Sequence, residues 1–101
     1  MTRRVVLAAR AKRHVGAIDH WWREHRPAAP GLFRQELAAA FELVVIAPQS
    51  GRRYRASPVL HVRRVLLRST RYHVYYVGRD NDIEVLAVWS AVRGTGPDLR
   101  F

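Results

Sequence analysis

Residues 59–90 read VLHVRRVLLRSTRYHVYYVGRDNDIEVLAVWS, and this stretch contains most of the strands predicted for this chain. Valine, leucine, isoleucine and tyrosine dominate three runs within it, residues 59–68, 72–78 and 83–90, which predicts three β-strands. The polar segments between these runs have the composition of tight turns. Because consecutive strands joined by tight turns pair antiparallel, we expect this part of the chain to form an antiparallel sheet.

Two amphipathic helices are predicted before these strands. The first has apolar residues three or four positions apart, at Ala11, Val15, Ile18 and Trp22. The second has a similar stripe at Phe33, Leu37, Ala40, Phe41 and Val44. Pro27 ends the first helix, and residues 48–51 (PQSG) end the second. The two helices are therefore expected to form a hairpin with one apolar side.

The remaining segments complete the predicted architecture. Residues 3–8 form a first strand, and residues 52–56 form a short strand or an extended loop. The order β-α-α-β-β-β predicts an α+β fold, in which an antiparallel sheet packs against the helical hairpin in one domain spanning residues 1–101. Alternation along the last strand places Trp89 on the same face as Ile83 and Val85, so Trp89 and Phe41 are expected to join sheet and hairpin.

The charge of the chain indicates an anionic partner. The formal net charge is +10, and Lys12 is the one lysine among 18 basic residues. Such a charge is typical of proteins that bind nucleic acid, an acidic protein segment or a membrane surface. No apolar run approaches the roughly 18 residues that a membrane span requires, so we expect a cytoplasmic protein without a membrane partner. Cysteine is absent, which excludes disulfides and thiolate metal sites.

A cluster of arginines follows the second helix. Its seven members are Arg52, Arg53, Arg55, Arg63, Arg64, Arg68 and Arg71. Three interpretations are open: a solvated face, a groove for a protein partner, or a surface for nucleic acid. Trp21 and Trp22 are interpreted as core residues or as part of a protein interface rather than as a cofactor site.

The order of elements and several local motifs resemble the RelE/ParE toxin family. The first helix is similar at Ala11, Ile18, Trp21, Trp22 and Pro27, and the second at LAAAF (37–41) followed by PQSG (48–51). The strands are similar at VRRVLL (62–67), YHVYY (72–76) and IEVLAVW (83–89), followed by AVRG (91–94). The resemblance covers most of the chain, from Val5 to Pro97.

The resemblance implies a toxin with a cognate antitoxin and no cofactor. RelE-like members cut mRNA on the ribosome, and ParE-like members poison DNA gyrase without catalytic residues of their own. Because one fold serves both activities, the site residues must separate them.

The nuclease chemistry that the resemblance implies is incomplete in this sequence. Arg52, Arg53 and Arg55 stand where RelE-like enzymes have lysines, and arginine holds its proton too tightly to be a general base. His73 replaces the strand arginine, Arg93 matches the arginine after the last strand, and Leu99 stands where a tyrosine is expected.

The favoured function is therefore a ParE-like inhibitor of DNA gyrase that causes growth arrest and plasmid stabilisation and is neutralised by an antitoxin. The alternative is a RelE-like, ribosome-dependent mRNA endonuclease in which His73 and Arg93 are catalytic. The residues expected to bind the target or the antitoxin are Arg52, Arg53, Arg55, Arg64, Arg68, Arg71, Trp21 and Trp22. His61 and His73 could face each other across neighbouring strands, but they lack a third ligand, so no metal site is predicted.

Overall fold

The computed structural model describes residues 3–92 and 94–100. It contains two helices and five strands in the order β1 (Arg4–Leu7), α1 (Ala9–His25), α2 (Leu32–Ile46), β2 (Arg52–Arg53), β3 (Arg63–Leu67), β4 (Tyr72–Gly78) and β5 (Asp82–Ser90). Within these residues, neither helix is long and apolar enough to cross a membrane.

The strands form one sheet in the order β1-β5-β4-β3-β2. Strands β2 to β5 pair antiparallel as predicted, whereas β1 pairs parallel with β5, with Arg4 opposite Asp82. The expectation of a wholly antiparallel sheet is therefore wrong at one edge. The two helices bring the chain back to the end of the sheet at which β1 finishes. The four antiparallel strands β2 to β5 then alternate in direction, so the last of them runs parallel to β1. The strand expected over residues 59–68 is also shorter, because it begins at Arg63.

Both helices cover one face of the sheet, which we call the helix face. The core there joins Ala11, Val15, Phe33, Leu37 and Val44 of the helices to Val74, Tyr76, Ile83 and Val85 of the sheet. Each fully buried aliphatic side chain of this kind stabilises the fold by about 1.5–3 kcal/mol. Phe41 is partly buried against this core, in agreement with its predicted place on the apolar stripe.

A bulge in β5 changes which residues face the helices. Tyr76 pairs with Val85 and Tyr75 with Ala87, so Leu86 is an extra residue in β5. Leu86 and Ala87 both pack on the opposite face, and Trp89 follows them there. The expectation that Trp89 shares a face with Val85 is therefore wrong, because a bulge shifts the alternation of side chains by one residue.

The opposite face, called the far face, has a second, smaller core. It consists of Val62, Tyr75, Val77, Leu86, Ala87 and Leu99. Leu99 belongs to residues 94–100, the C-terminal segment, and its side chain is 1% exposed. Two further contacts hold this segment down: Trp89 Nε1 donates to the Thr95 carbonyl at 3.0 Å, and Arg10 donates to the Arg100 carbonyl at 2.6 Å. The C-terminal segment therefore covers part of the far face.

The connection from α2 to β2 is fixed by one buried phenol. The Tyr76 hydroxyl donates to the Pro48 carbonyl at 2.8 Å and accepts from the Gly51 amide at 2.9 Å. A Cβ on residue 51 would lie 2.6 Å from this hydroxyl, so the turn requires glycine there.

The turn from β3 to β4 is held by a carboxylate of α2. Glu36 accepts hydrogen bonds from the amides of Ser69 and Thr70, both at 2.8 Å, and from the Thr70 hydroxyl at 2.6 Å. Arg71 completes this turn with a φ of 66°, in the left-handed region that non-glycine residues rarely adopt.

Candidate functional site

The arginines of β2 and β3 face each other across the sheet. Arg52 pairs with Arg64, and Arg53 pairs with Arg63. Like charges directly opposite each other on neighbouring strands are destabilising. Within the described residues, none of the seven arginines between positions 52 and 71 forms an ion pair with a carboxylate. This edge of the sheet therefore carries uncompensated positive charge.

Arg64 and His73 lie with two tyrosines on the far face. The Arg64 guanidinium lies 5.3 Å from the centre of the Tyr54 ring and donates to the Tyr75 hydroxyl at 3.2 Å. The His73 ring lies edge-on to Tyr75, with 6.0 Å between the ring centres. These four residues, the far-face cluster, line a cavity of about 250 Å³ together with Ser90, Ala91 and residues 94–96.

The environment of the far-face cluster sets its proton chemistry. Burial lowers the pKa of His73, and the positive charges of Arg64 and Arg71 lower it further. The imidazole is therefore neutral at physiological pH and able to accept a proton. Burial raises the pKa of Tyr75, whose side chain is almost fully enclosed, so this phenol keeps its proton and is shielded from a substrate.

Leu99, which stands where the nuclease site is expected to have a tyrosine, does not complete the far-face cluster. Leu99 is buried in the second core, so its position offers no polar group to the cavity. Arg93 lies outside the described residues. Within the described part of the chain, no three His, Asp or Glu side chains are close enough together to hold a metal ion.

The other predicted binding residues are spread over the molecule. Arg68 and Arg71 are exposed at the β3–β4 turn, and Arg55 is exposed in the loop after β2. Trp22 is half-buried against the main core, whereas Trp21 on the same helix is 39% exposed. Sequence reasoning thus identified exposed residues on α1 and on the sheet, but the structure does not bring all of them onto one surface.

A second surface, the aromatic groove, lies between α1 and the ends of β4 and β5. Its volume is about 370 Å³, and its lining consists of His14, Ala17, Ile18, Trp21, Tyr72, Val88, Trp89 and Ser90. At one end the Trp21 ring stacks on His25 at 4.7 Å, with Arg26 5.0 Å from the ring centre. Concave sites with partly exposed tryptophan are typical anchor points for a protein partner.

His14 links α1 to the sheet inside the aromatic groove. Its Nδ1 accepts a hydrogen bond from the Val88 amide at 3.2 Å. Pairing between β1 and β5 ends at Leu7 and Val85, so the Val88 amide lies beyond the reach of β1. Burial, followed by the charges of Arg10 and Arg13, lowers the pKa of His14. This role of His14 was not predictable, because no spacing pattern marks a helical histidine that caps a strand edge.

Comparisons with known proteins agree on the type of fold. Residues 5–93 match the model of a family described as the ParE toxin of type II toxin–antitoxin systems, parDE. The chain is similar in structure to a chain of the chromosomal ParDE system of P. aeruginosa, with a TM-score of 0.67 and 19% identity over 89% of this chain and 96% of that one. It is also similar to a free, doubly mutated E. coli toxin RelE, with a TM-score of 0.58 and 20% identity over 91% of this chain and 86% of that one. No curated protein sequence matches significantly.

Proposed function

The chain belongs to the ParE toxin family of type II toxin–antitoxin systems, and from this premise we propose that it arrests growth by binding DNA gyrase and is kept inactive by a cognate antitoxin. We choose gyrase as the target because the acid–base chemistry of the far-face cluster is incomplete. A toxin that acts by binding needs no such chemistry, whereas a nuclease does.

Attack of an RNA 2′-hydroxyl on its phosphate requires a base and an acid placed on either side of the phosphorus. His73 supplies a neutral imidazole, but Tyr75 is enclosed, and the side chain of Leu99 is apolar and buried. Each positioned acid or base contributes about 10²–10⁴-fold to the rate. The described residues of the far-face cluster thus favour a binding role over cleavage.

The target is tested by expressing the toxin without antitoxin and measuring both gyrase supercoiling and mRNA integrity. The gyrase proposal expects inhibited supercoiling and intact mRNA for the wild type, with the same result for His73→Ala. Primer extension that reveals codon-specific cuts, combined with normal supercoiling, would overturn it.

The second candidate function is a ribosome-dependent mRNA endonuclease. The specific observation in its favour is the neutral His73 beside Arg64 in an open cavity, where an imidazole could accept the hydroxyl proton and a guanidinium could stabilise the phosphate. In the same experiment this candidate expects cuts that vanish in both His73→Ala and Arg93→Ala.

Neutralisation is proposed to involve the aromatic groove. An apolar side chain of the antitoxin would fill the groove beside Trp21 and Trp89, and acidic residues would face the net charge of +10. Binding of a disordered antitoxin segment would then order it against α1.

The antitoxin surface is tested with Trp21→Ala in a binding assay against the purified antitoxin. Because buried aromatic anchors dominate interface energetics, the expected loss of binding free energy is about 2–4 kcal/mol. Lys12→Ala, an exposed change on the same helix, serves as the control and should have little effect. An unchanged affinity for Trp21→Ala would exclude the aromatic groove as the docking site.

A further inference from the structure

A third surface lies at the end of the sheet opposite the aromatic groove. It is a cavity of about 480 Å³ whose lining includes Arg3, Arg53, His61 and Arg63, which we call the basic groove. An adjoining hollow of about 260 Å³ shares Arg53, His61 and Arg63 and adds Arg55. We propose that the basic groove binds the sugar–phosphate backbone of double-stranded DNA.

The lining of the basic groove is rich in positive charge. Arg53 and Arg63 are cross-strand partners, so two guanidinium groups are held side by side without an ion-paired carboxylate among the described residues. Asp80 is the one acidic residue in the lining of this cavity. A concave surface of one charge concentrates its field, and arginine binds phosphate oxygens through two parallel hydrogen bonds.

The groove is also partly preorganised. Arg63 donates to the Gly51 carbonyl at 2.9 Å, which anchors one end of its guanidinium beside the turn that Tyr76 holds. His61 has a φ of 64°, in the left-handed region, and its side chain is exposed at the groove. Strained backbone of this kind occurs more often at binding sites than elsewhere.

The lining chemistry favours duplex DNA over a single strand or a protein. Proteins that bind single strands stack bases on exposed aromatic rings, and the described lining of the cavity contains no phenylalanine, tyrosine or tryptophan. Tyr54 lines the adjoining hollow, but Arg64 and Tyr75 lie against its ring. The partly exposed tryptophan that would anchor a protein partner is in the aromatic groove instead. Phosphate contact without base contact is the usual mode of sequence-independent DNA binding.

The inference goes beyond the proposed function, since it requires neither gyrase nor the antitoxin. The test is fluorescence anisotropy of the purified full-length toxin with a labelled DNA duplex of arbitrary sequence, over a salt series. The logarithm of the binding constant should fall linearly with the logarithm of the salt concentration, by about 0.9 per phosphate neutralised.

The variant is Arg53→Ala, because Arg53 is exposed and its side chain forms no hydrogen bond within the described residues, while its place in the β2–β3 ladder depends on the backbone alone. It should weaken binding equally for different DNA sequences and reduce the salt slope by about 1. The matched control is Arg13→Ala, which removes the same charge from an exposed position on α1 and should leave the slope unchanged.

Three outcomes would overturn the proposal. Equal losses for Arg53→Ala and Arg13→Ala would mean that the whole surface attracts DNA and the groove does not. Tighter binding to a single-stranded RNA of the same length would assign the groove to RNA. A lack of binding even at about 50 mM salt, where electrostatic affinity is high, would exclude a nucleic-acid role.

Discussion

At the scale of single residues, the buried Tyr76 and the half-buried His14 each satisfy part of the backbone. The Tyr76 hydroxyl and the His14 imidazole each satisfy a backbone amide that the sheet or the turn leaves unpaired. An unsatisfied buried amide costs about 1–3 kcal/mol, which is a large share of the stability of a domain of this size.

Tyr76→Phe should lower the free energy of unfolding by about 1–3 kcal/mol, because the Pro48 carbonyl and the Gly51 amide both lose their partner. Urea denaturation measures the change. Tyr75→Phe is the matched control, since the Tyr75 hydroxyl accepts one hydrogen bond from the Arg64 side chain and holds no backbone group. Equal stability losses in the two variants would show that the Tyr76 hydroxyl has no special role.

Stability should fall when the pH drops below about 6.5, the ordinary pKa of histidine. His14 and His73 have lowered pKa values in the folded protein, so the unfolded chain binds protons first. The contribution of these two histidines to stability is therefore complete above pH 6.5, and it is lost as the pH falls through their folded-state pKa values. Protonation of His14 also removes the acceptor for the Val88 amide.

The pH dependence is measured by urea unfolding of wild type, His14→Gln, His73→Gln and the double variant. Each single variant should have a shallower pH dependence than the wild type, and the double variant should be the flattest. If the free energy of unfolding of the double variant depends on pH as steeply as that of the wild type, the pH dependence arises from other groups.

At the scale of elements, Glu36 connects the second helix to the turn of the β3–β4 hairpin. Burial opposes ionisation of this carboxyl, but hydrogen bonds from Thr70 and Ser69 outweigh it and hold the pKa of Glu36 below its ordinary value. The contribution of the carboxylate to stability is thus present above about 4.5 and is lost as the pH falls through the folded-state pKa.

Glu36→Gln should lower the free energy of unfolding at neutral pH by about 1–3 kcal/mol, because an amide oxygen accepts these hydrogen bonds less strongly and its NH₂ faces donors. Glu42→Gln on the same helix is exposed and serves as the control. Thermal unfolding at neutral and acidic pH should show the difference between the two variants shrinking in acid. A difference that does not change with pH would contradict the charge argument.

Element order, helix stripes and the β4–β5 hairpin were predictable because they depend on local periodicity and turn composition. Ala11, Val15, Leu37 and Val44 are buried as their spacing indicates. The bulge at Leu86 was not predictable, since it depends on pairing between two strands and has no marker such as glycine in the sequence. The parallel pairing of β1 depends on the position of the hairpin, which periodicity does not specify.

The candidate site was predictable only in its composition. Arginine clustering and the exposed Trp21 are visible in the sequence. The association of His73 with Arg64 and Tyr75 follows from strand register, and that of His14 with Val88 requires contact between a helix and a strand residue 74 positions later. Sequence order alone does not define such distant neighbours.

At the scale of the whole molecule, the aromatic groove and the basic groove lie at opposite ends of the sheet. Strand β4 runs between them, from Tyr72 beside the aromatic groove to Gly78 beside the basic groove. At about 3.3 Å per residue the two ends are roughly 20 Å apart. If the antitoxin binds in the aromatic groove as proposed, a segment confined to it would leave the basic groove open.

Leu99→Tyr should destabilise the protein without creating a nuclease. Leu99 fills the second core, where a larger ring costs about 1–3 kcal/mol through strain. Expression without antitoxin, followed by primer extension, should reveal no new mRNA cuts, and a melting curve should show a lower midpoint. A stable Leu99→Tyr protein that cleaves mRNA would mean that a restored hydroxyl is all the far-face cluster lacks.

The pairing of β1 with β5 means that the sheet can be completed only after the last strand has been made. Arg4 meets Asp82, 78 positions later, so both helices and three strands leave the ribosome before the sheet can close. A chain that stops before residue 82 lacks the strand that lies between β1 and β4. The first strand to be made is therefore the last to find its partner, and a partly made chain without β5 cannot form the complete sheet.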